Sequence, residues 1–410
     1  MSRLEKLIAE MCPDGVEYKL LSEIASISRG GSLQKKDFTE TGVPCIHYGQ
    51  IYTKYGLFTE ETYTFISEEK AKKQKKAQPG DIVMAVTSEN IEDVCKCVVW
   101  LGNEEVAVSG HTAIISHDQD AKFLAYYFHS SMFFTQKRKL AHGTKVIEVT
   151  PDHLGKIKIP VPPLEVQREI VRILDNYTEL TTELKRKISE ELTAREKQYE
   201  YYKEQLYQVN NTMELVTTKD VTTDRFWLMP ATPKYIDNGI PYVTSKNVRN
   251  GVIDFSNVKY ISREDYENIS KKRKIEKNDL LITMIGTIGE MAFASDFTEF
   301  YGQNIYLVRF DETKCLRKYF FYYLSSKKVK NSLISKKNVS SQGYIKAGSI
   351  DNLIFPLPSI EEQQRIVNIL DQLEDLYSEL NTELEAEIYS RNKQYEYYRD
   401  KLLTFKDLQN

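Results

Sequence analysis

The chain has 410 residues, 41% hydrophobic and 28% charged, a globular composition with room for two to four domains, each able to bury a core. No run of about 18 apolar residues occurs, so no membrane-spanning helix is expected, and the charged, amphipathic opening M-S-R-L-E-K-L-I-A-E does not read as an export signal, which makes cytoplasm the expected compartment. A net charge of −3 excludes a protein basic throughout but permits a basic module, because residues 208–355 carry 22 Lys+Arg against 16 Asp+Glu while residues 356–410 carry 6 against 12.

In chain order the sequence predicts four pieces: a globular domain over 1–155, a long helix within 156–207, a second domain over 208–355 and a second long helix within 356–410. In the first domain, G-V-P-C-I-H-Y-G-Q-I (Gly42 to Ile51) and P-G-D-I-V-M-A-V (Pro79 to Val86) read as strands with turns, and F-L-A-Y-Y-F (Phe123 to Phe128) as a short buried helix. The second domain answers with G-I-P-Y-V-T-S-K-N-V from Gly239, K-N-D-L-L-I-T-M from Lys277 and Y-F-F-Y-Y-L from Tyr319. Both are expected to be mixed α/β domains, mostly strands, with helices near their ends. Five cysteines are scattered through a chain too large to need staples, and Cys95-x-Cys97 has no second close pair, so small buried thiols are expected rather than a zinc site.

The helical pieces repeat one another. P-V-P-P-L-E-V-Q-R-E-I-V-R-I-L-D from Pro160 returns as P-L-P-S-I-E-E-Q-Q-R-I-V-N-I-L-D from Pro356, and R-E-K-Q-Y-E-Y-Y-K from Arg195 returns as R-N-K-Q-Y-E-Y-Y-R from Arg391, always at an offset of 196. Apolar positions at spacings of three and four run through Ile170, Ile173, Tyr177, Leu180, Leu184 and Ile188, then through Ile366, Ile369, Leu373, Leu376, Leu380, Leu384 and Ile388. They predict two amphipathic helices starting near residues 163 and 359, each about 60 Å long, with a coiled-coil seam. A narrow apolar stripe needs a partner, and the other copy is the expected one, in an antiparallel pair with internal pseudo-two-fold symmetry. The fold class expected is α+β.

No catalytic pattern is present. A G-x-x-x-x-G-K-[ST] phosphate loop, a G-x-G-x-x-G turn, G-x-S-x-G and H-E-x-x-H are all missing, and P-V-P-P-L lacks the polar and aromatic residues of an amino-methyltransferase N-P-P-Y loop. Nucleic-acid chemistry is better represented. A basic cluster precedes the Gly/Asn-Asp turn in each domain, with Lys75 and Lys76 in the first and Lys272 and Arg273 in the second, and Lys35 and Lys36 add charge earlier. Cations then mix with amides and hydroxyls at Lys137, Arg138, Thr144 and Lys145, and again at Lys336, Lys337, Asn338, Gln342 and Tyr344. Short polar loops contribute His47, Tyr48, Gln50, Ser88 and Asn90 in the first domain, and Thr244, Ser245, Lys246, Asn247, Arg249, Thr287, Gln303 and Asn304 in the second. Lysine and arginine neutralise phosphates, whereas amides and hydroxyls on short loops reach base edges.

Together the duplicated P-x-P-x-x-E-x-Q-x-x-I-V segment, I-P-Y-V-T-S-K-N-V and K-N-D-L-L-I-T-M-I-G-T-I-G give nearly the whole chain a resemblance to the DNA-specificity (S) subunits of type I restriction-modification systems. The first domain departs from the G-T-I-G turn with V-T-S-E-N-I-E-D (Val86 to Asp93). The resemblance implies a non-catalytic subunit that grips double-stranded DNA at two short half-sites, one per domain, separated by a gap that the helices fix. It also implies two methyltransferase (M) subunits and the restriction (R) subunits as partners, which would carry the S-adenosylmethionine, ATP and Mg; no cofactor is expected in this chain. The rival from another class is a non-catalytic coiled-coil scaffold with two protein- or peptide-binding domains, which salt-dependent retention on duplex DNA would separate from a DNA reader.

Overall fold

A computed structural model describes residues 2–208, 213–249, 251–294, 299–336 and 343–408. Packing divides the chain into two units, Met1–Lys187 with Glu385–Asn410, and Ile188–Leu384. Each unit therefore holds one globular domain, the first part of the long helix that follows it and the last part of the other long helix.

In the first unit one five-stranded sheet runs in the order Ala25–Arg29, Thr112–His117, Ile82–Ala85, Cys97–Trp100, Phe58–Thr59. A second runs Phe38–Thr39, Thr64–Ile66, Val43–Ile46, Val106–Val108, Lys76–Ala77. The central strand Ile82–Ala85 is buried on both faces, which explains why it reads as a continuous apolar run and does not alternate with polar residues. Ile82 and Met84 pack with the helices Ala121–Phe128 and Ser131–Leu140, while Val83 and Ala85 pack with Ile46, Val106 and Val108 of the second sheet. The layers are thus helices, sheet and sheet.

The second unit repeats the plan with smaller sheets. Thr222–Leu228, Ile305–Phe310, Leu280–Thr283 and Met291–Phe293 form one, and Tyr235–Ile236, Lys259–Ile261, Ile240–Val243 and Tyr301–Gly302 the other. Leu280 and Ile282 face the helices and Leu281 faces the second sheet, the same alternation as in the first unit.

The long helices span Leu164–Leu206 and Ile360–Leu402, 43 residues each. In the second, Ser359 Oγ accepts the Glu362 amide at 3.4 Å and so caps the start of the helix. Antiparallel pairing is visible inside each unit. In the first, Tyr177 stacks on Tyr398 with centroids 5.9 Å apart, and Thr178 lies 3.2 Å from the Tyr395 hydroxyl, so the numbers fall along one helix as they rise along the other. In the second, Tyr199 stacks on Tyr377 at 5.7 Å.

The expected seam needs correction. Ile170 and Ile366 lie in the cores of the domains that precede their helices, and Ile173 and Leu373 pack against those same cores. Their stripe is satisfied by the globular domain before the helices meet. Ile188 is buried, and Leu184, Ile369, Leu380, Leu384 and Ile388 are half-buried. Leu180 and Leu376, at the inserted steps of four, are 67% and 64% exposed. Adding a four to a heptad turns the stripe away from the seam, so these two leucines point to water.

Candidate nucleic-acid interface

In the first unit the loops at one end of the two sheets bring a group of polar and aromatic side chains together. The strand Val43–Ile46 ends at His47, whose Nδ1 accepts the Gly49 amide at 3.2 Å and starts a short helix. The Tyr48 ring lies against both His47 and His111, centroids 4.6 and 4.9 Å apart, and Thr87 Oγ1 is 3.2 Å from His111 Nδ1. Thr87–Ser88 pairs with Ile147–Glu148, so the turn carrying Thr144 and Lys145 sits beside Ser88. Arg29 closes the group by donating to Glu148 Oε1 at 2.6 Å and to the Gly110 carbonyl at 3.0 Å. His47 is itself 6% exposed, so the contact expected there is corrected to an internal one, and burial, with Lys35 and His111 nearby, lowers its pKa.

Several expected contact residues are spent inside the fold. Lys137 is 5% exposed and donates hydrogen bonds to the carbonyls of Glu92 at 3.0 Å and Val94 at 2.5 Å, so a phosphate contact there is corrected to an internal one. Gln50 is buried and its Oε1 accepts from the His47 amide and Thr64 Oγ1. Asn247 is buried as well, holding the Thr244 amide and hydroxyl at 3.0 Å and donating to the Asp254 carbonyl. These three amide-closed or lysine-closed turns shape the surface instead of touching a ligand. Lys76 is paired with Glu105. Lys35, Lys36, Lys75, Asn90, Arg138, Thr144 and Lys145 are exposed.

In the second unit the corresponding loops also converge. Thr287 Oγ1 donates to the Ser245 carbonyl at 2.8 Å, and Gly286 and Gly289 adopt φ of +79° and +80°, which the G-T-I-G turn needs glycine to do. A Cβ on Gly286 would stand 3.2 Å from Ser245 Oγ. Ile285 bridges to Tyr344, and Gln303, whose amide bonds the Val243 carbonyl, lies on the same strand ends with Asn304 at φ +63°. Lys246 and Arg249 are exposed beside this group. Lys272 and Arg273 are exposed too, but Arg309 ties that turn to Asp279 and the Lys274 carbonyl, at the far end of Leu280–Thr283 from Gly286. Lys336 caps the helix Lys327–Ser335 and is exposed; Lys337, Asn338 and Gln342 lie outside the described residues.

Arg29, His111 and Glu148 were not legible in the sequence, since only the sheet order brings residues 29, 111 and 148 together. Among the described residues no group of three or more His, Cys, Asp or Glu is arranged to hold a metal ion, and the five cysteines are free and buried. No helix of the described residues is long and apolar enough to cross a membrane.

The family model for the type I restriction modification DNA specificity domain matches twice, over residues 13–194 and 210–390. The chain belongs to this specificity-subunit family. Among its specificity-subunit relatives is a putative one from Haemophilus influenzae, 30% identical over 416 residues and covering 98% of both chains. The EcoR124I/EcoR124II specificity subunit of Escherichia coli is 29% identical over 427 residues, covering 99% of this chain and 97% of that one. In fold, the chain resembles a structure described for complex assembly and conformational transition of the type I R-M system, with TM-score 0.76, 19% identity and coverage of 95% and 97%. The HsdS subunit of Thermoanaerobacter tengcongensis aligns with TM-score 0.55 and 18% identity over 95% and 96% of the two chains. As a specificity subunit, the chain carries two target-recognition domains.

Proposed function

We propose that this chain reads a bipartite DNA sequence, one half-site with each domain, and that the long helices set the number of base pairs skipped between them. The observation that carries the reading is that one plan presents different groups at matching loops. The first domain offers Tyr48, His111, Ser88 and Arg29, and the second Ser245, Thr287, Gln303 and Tyr344, so the two half-sites differ in sequence.

The chain itself does no chemistry and acts in the cytoplasm; methylation and cleavage belong to two M subunits and to R subunits, which bring S-adenosylmethionine, ATP and Mg. Recruitment of two identical M subunits is supported by a groove that recurs on the helices. In the second unit Arg195, Gln198, Tyr199 and Tyr202 line a groove of about 550 Å³ with Leu373, Leu376 and Leu380. In the first, Arg391, Gln394, Tyr395 and Tyr398 line a smaller one of about 230 Å³ with Tyr177, Leu180 and Leu184. Nearly the same positions return at the 196-residue offset.

Methylome sequencing of a host carrying this gene with its methyltransferase partner tests the proposal. A motif of two unlike short blocks around a fixed unspecified gap is expected. A single uninterrupted palindrome, or no motif, overturns it.

A further inference from the structure

The first domain lacks the glycine turn that shapes the reading loop of the second, and it solves the same problem with a buried cation. Between Thr87 and Cys97 the chain makes a closed excursion. Its base is fixed by main-chain bonds, Cys95 N to Ala85 O and Ala85 N to Lys96 O, both 2.8 Å, and Cys95 turns back at φ +68°, a conformation that a side chain other than glycine rarely adopts. Its tip is closed by Asn90, whose Oδ1 accepts the Asp93 amide at 2.7 Å and whose Nδ2 donates to Asp93 Oδ2 at 2.8 Å, with Lys96 paired to Asp93 at 2.6 Å.

Between base and tip, the carbonyls of Glu92 and Val94 point inward. Lys137 reaches them from the helix Ser131–Leu140, where it lies one turn beyond the buried Phe133 and so shares that helix's inner face. The Phe134 ring lies 5.2 Å from its Nζ. A buried lysine is retained only where its charge is compensated, and here two carbonyl dipoles supply the compensation. The second domain braces its glycine loop from the equivalent helix, through Lys330 Nζ on Glu290 Oε1 at 2.7 Å. At the 196-residue offset Lys330 matches Phe134 and Lys137 matches Leu333, so the two braces sit about one turn apart on their helices.

We infer that Lys137 is the positioning residue of the first domain's base-reading loop, an internal cation that sets the height of Ser88 and Asn90 without itself touching DNA. The inference rests on the reading of that loop as part of the first domain's recognition surface. It assigns half-site fidelity to a residue inside the fold.

The test uses the chain reconstituted with its methyltransferase subunits, acting on duplexes in which both half-sites are randomised, with methylated products sequenced. A Ser88→Ala variant reports on the loop as reader, and Lys137→Met keeps the stem while removing the donor. Both variants are expected to broaden base preference at the same positions of one half-site, by at least tenfold in the ratio of preferred to other bases, and to leave the other half-site sharp. If Lys137→Met fails to assemble, Lys137→Gln, which retains one donor group, is expected to give a smaller broadening at those positions. An unchanged profile in the lysine variants beside a broadened one in the loop variant overturns the positioning role. So does a uniform loss at both half-sites with a lowered melting temperature, the signature of a structural lysine only. An unchanged profile in the loop variant instead overturns the reading of the loop on which the inference stands.

Discussion

Two glutamines show how single residues fasten the long helices to their domains. Gln167 accepts the Asp120 amide at 3.0 Å and donates to the Pro162 carbonyl and Gln119 Oε1, both at 2.8 Å. Gln363 accepts the Leu316 amide at 2.9 Å and donates to the carbonyls of Pro358 and Lys314. This is the physical content of the repeated P-x-P-x-x-E-x-Q: the prolines expose a carbonyl with no helical partner, and the glutamine, one turn in, satisfies it together with the amide that opens the neighbouring helix. Asp175 and Asp371 repeat the theme, each accepting from a tyrosine hydroxyl and a lysine of that helix. Replacing Gln363 by leucine keeps its volume but orphans an N–H and two C=O groups, so a loss of about 2–4 kcal/mol is expected. Denaturant unfolding of the chain checks it, and a loss below about 0.5 kcal/mol would show that the glutamine is replaceable by packing.

At the scale of the element, hydrophobic spacing was legible and its allocation was not. The sequence placed both helix starts, near 163 and 359, within a residue of Leu164 and Ile360, yet its three-and-four periodicity could not say which stretch of stripe meets a domain and which meets a helix, because both partners present the same apolar surface. The structure assigns Ile366 to a domain core and Leu376 to solvent. Ile366→Ala is therefore expected to cost about 2–4 kcal/mol. Leu180→Lys and Leu376→Lys should cost less than about 0.5 kcal/mol in the isolated chain. Urea midpoints with unchanged slopes decide the matter, and equal costs at the two kinds of position would restore a continuous seam.

For the whole molecule, the two units share a plan but not a titration behaviour. All six histidines lie between His47 and His153, in the first unit. His129 is pulled down to about 4 by burial, with Arg399, Lys137 and Lys96 adding to the effect and its bond to the Ala125 carbonyl opposing it; burial likewise lowers His47 and His117. A depressed folded pKa means that stability is whole above the ordinary value near 6.5 and is lost as pH falls toward the folded value. Between pH 6.5 and 5, His129 alone should remove about 2 kcal/mol from the first unit. Amide hydrogen exchange at pH 7 and pH 5.5 should show peptides of the first unit losing protection first, and equal loss in both units would refute the asymmetry. The sequence by itself determined the duplication, the mixed α/β domains, the two long helices and the family, because period, turn chemistry and repeat offset are local properties of the chain. Only the tertiary structure decided which polar residues face outward. Lys137, Gln50 and Asn247 look like contacts in one dimension and are internal braces in three, while Arg29, His111 and Glu148 become neighbours only when strands distant in sequence lie side by side. Burial and strand order arise from the packing of the sheets, and no short window of sequence contains them.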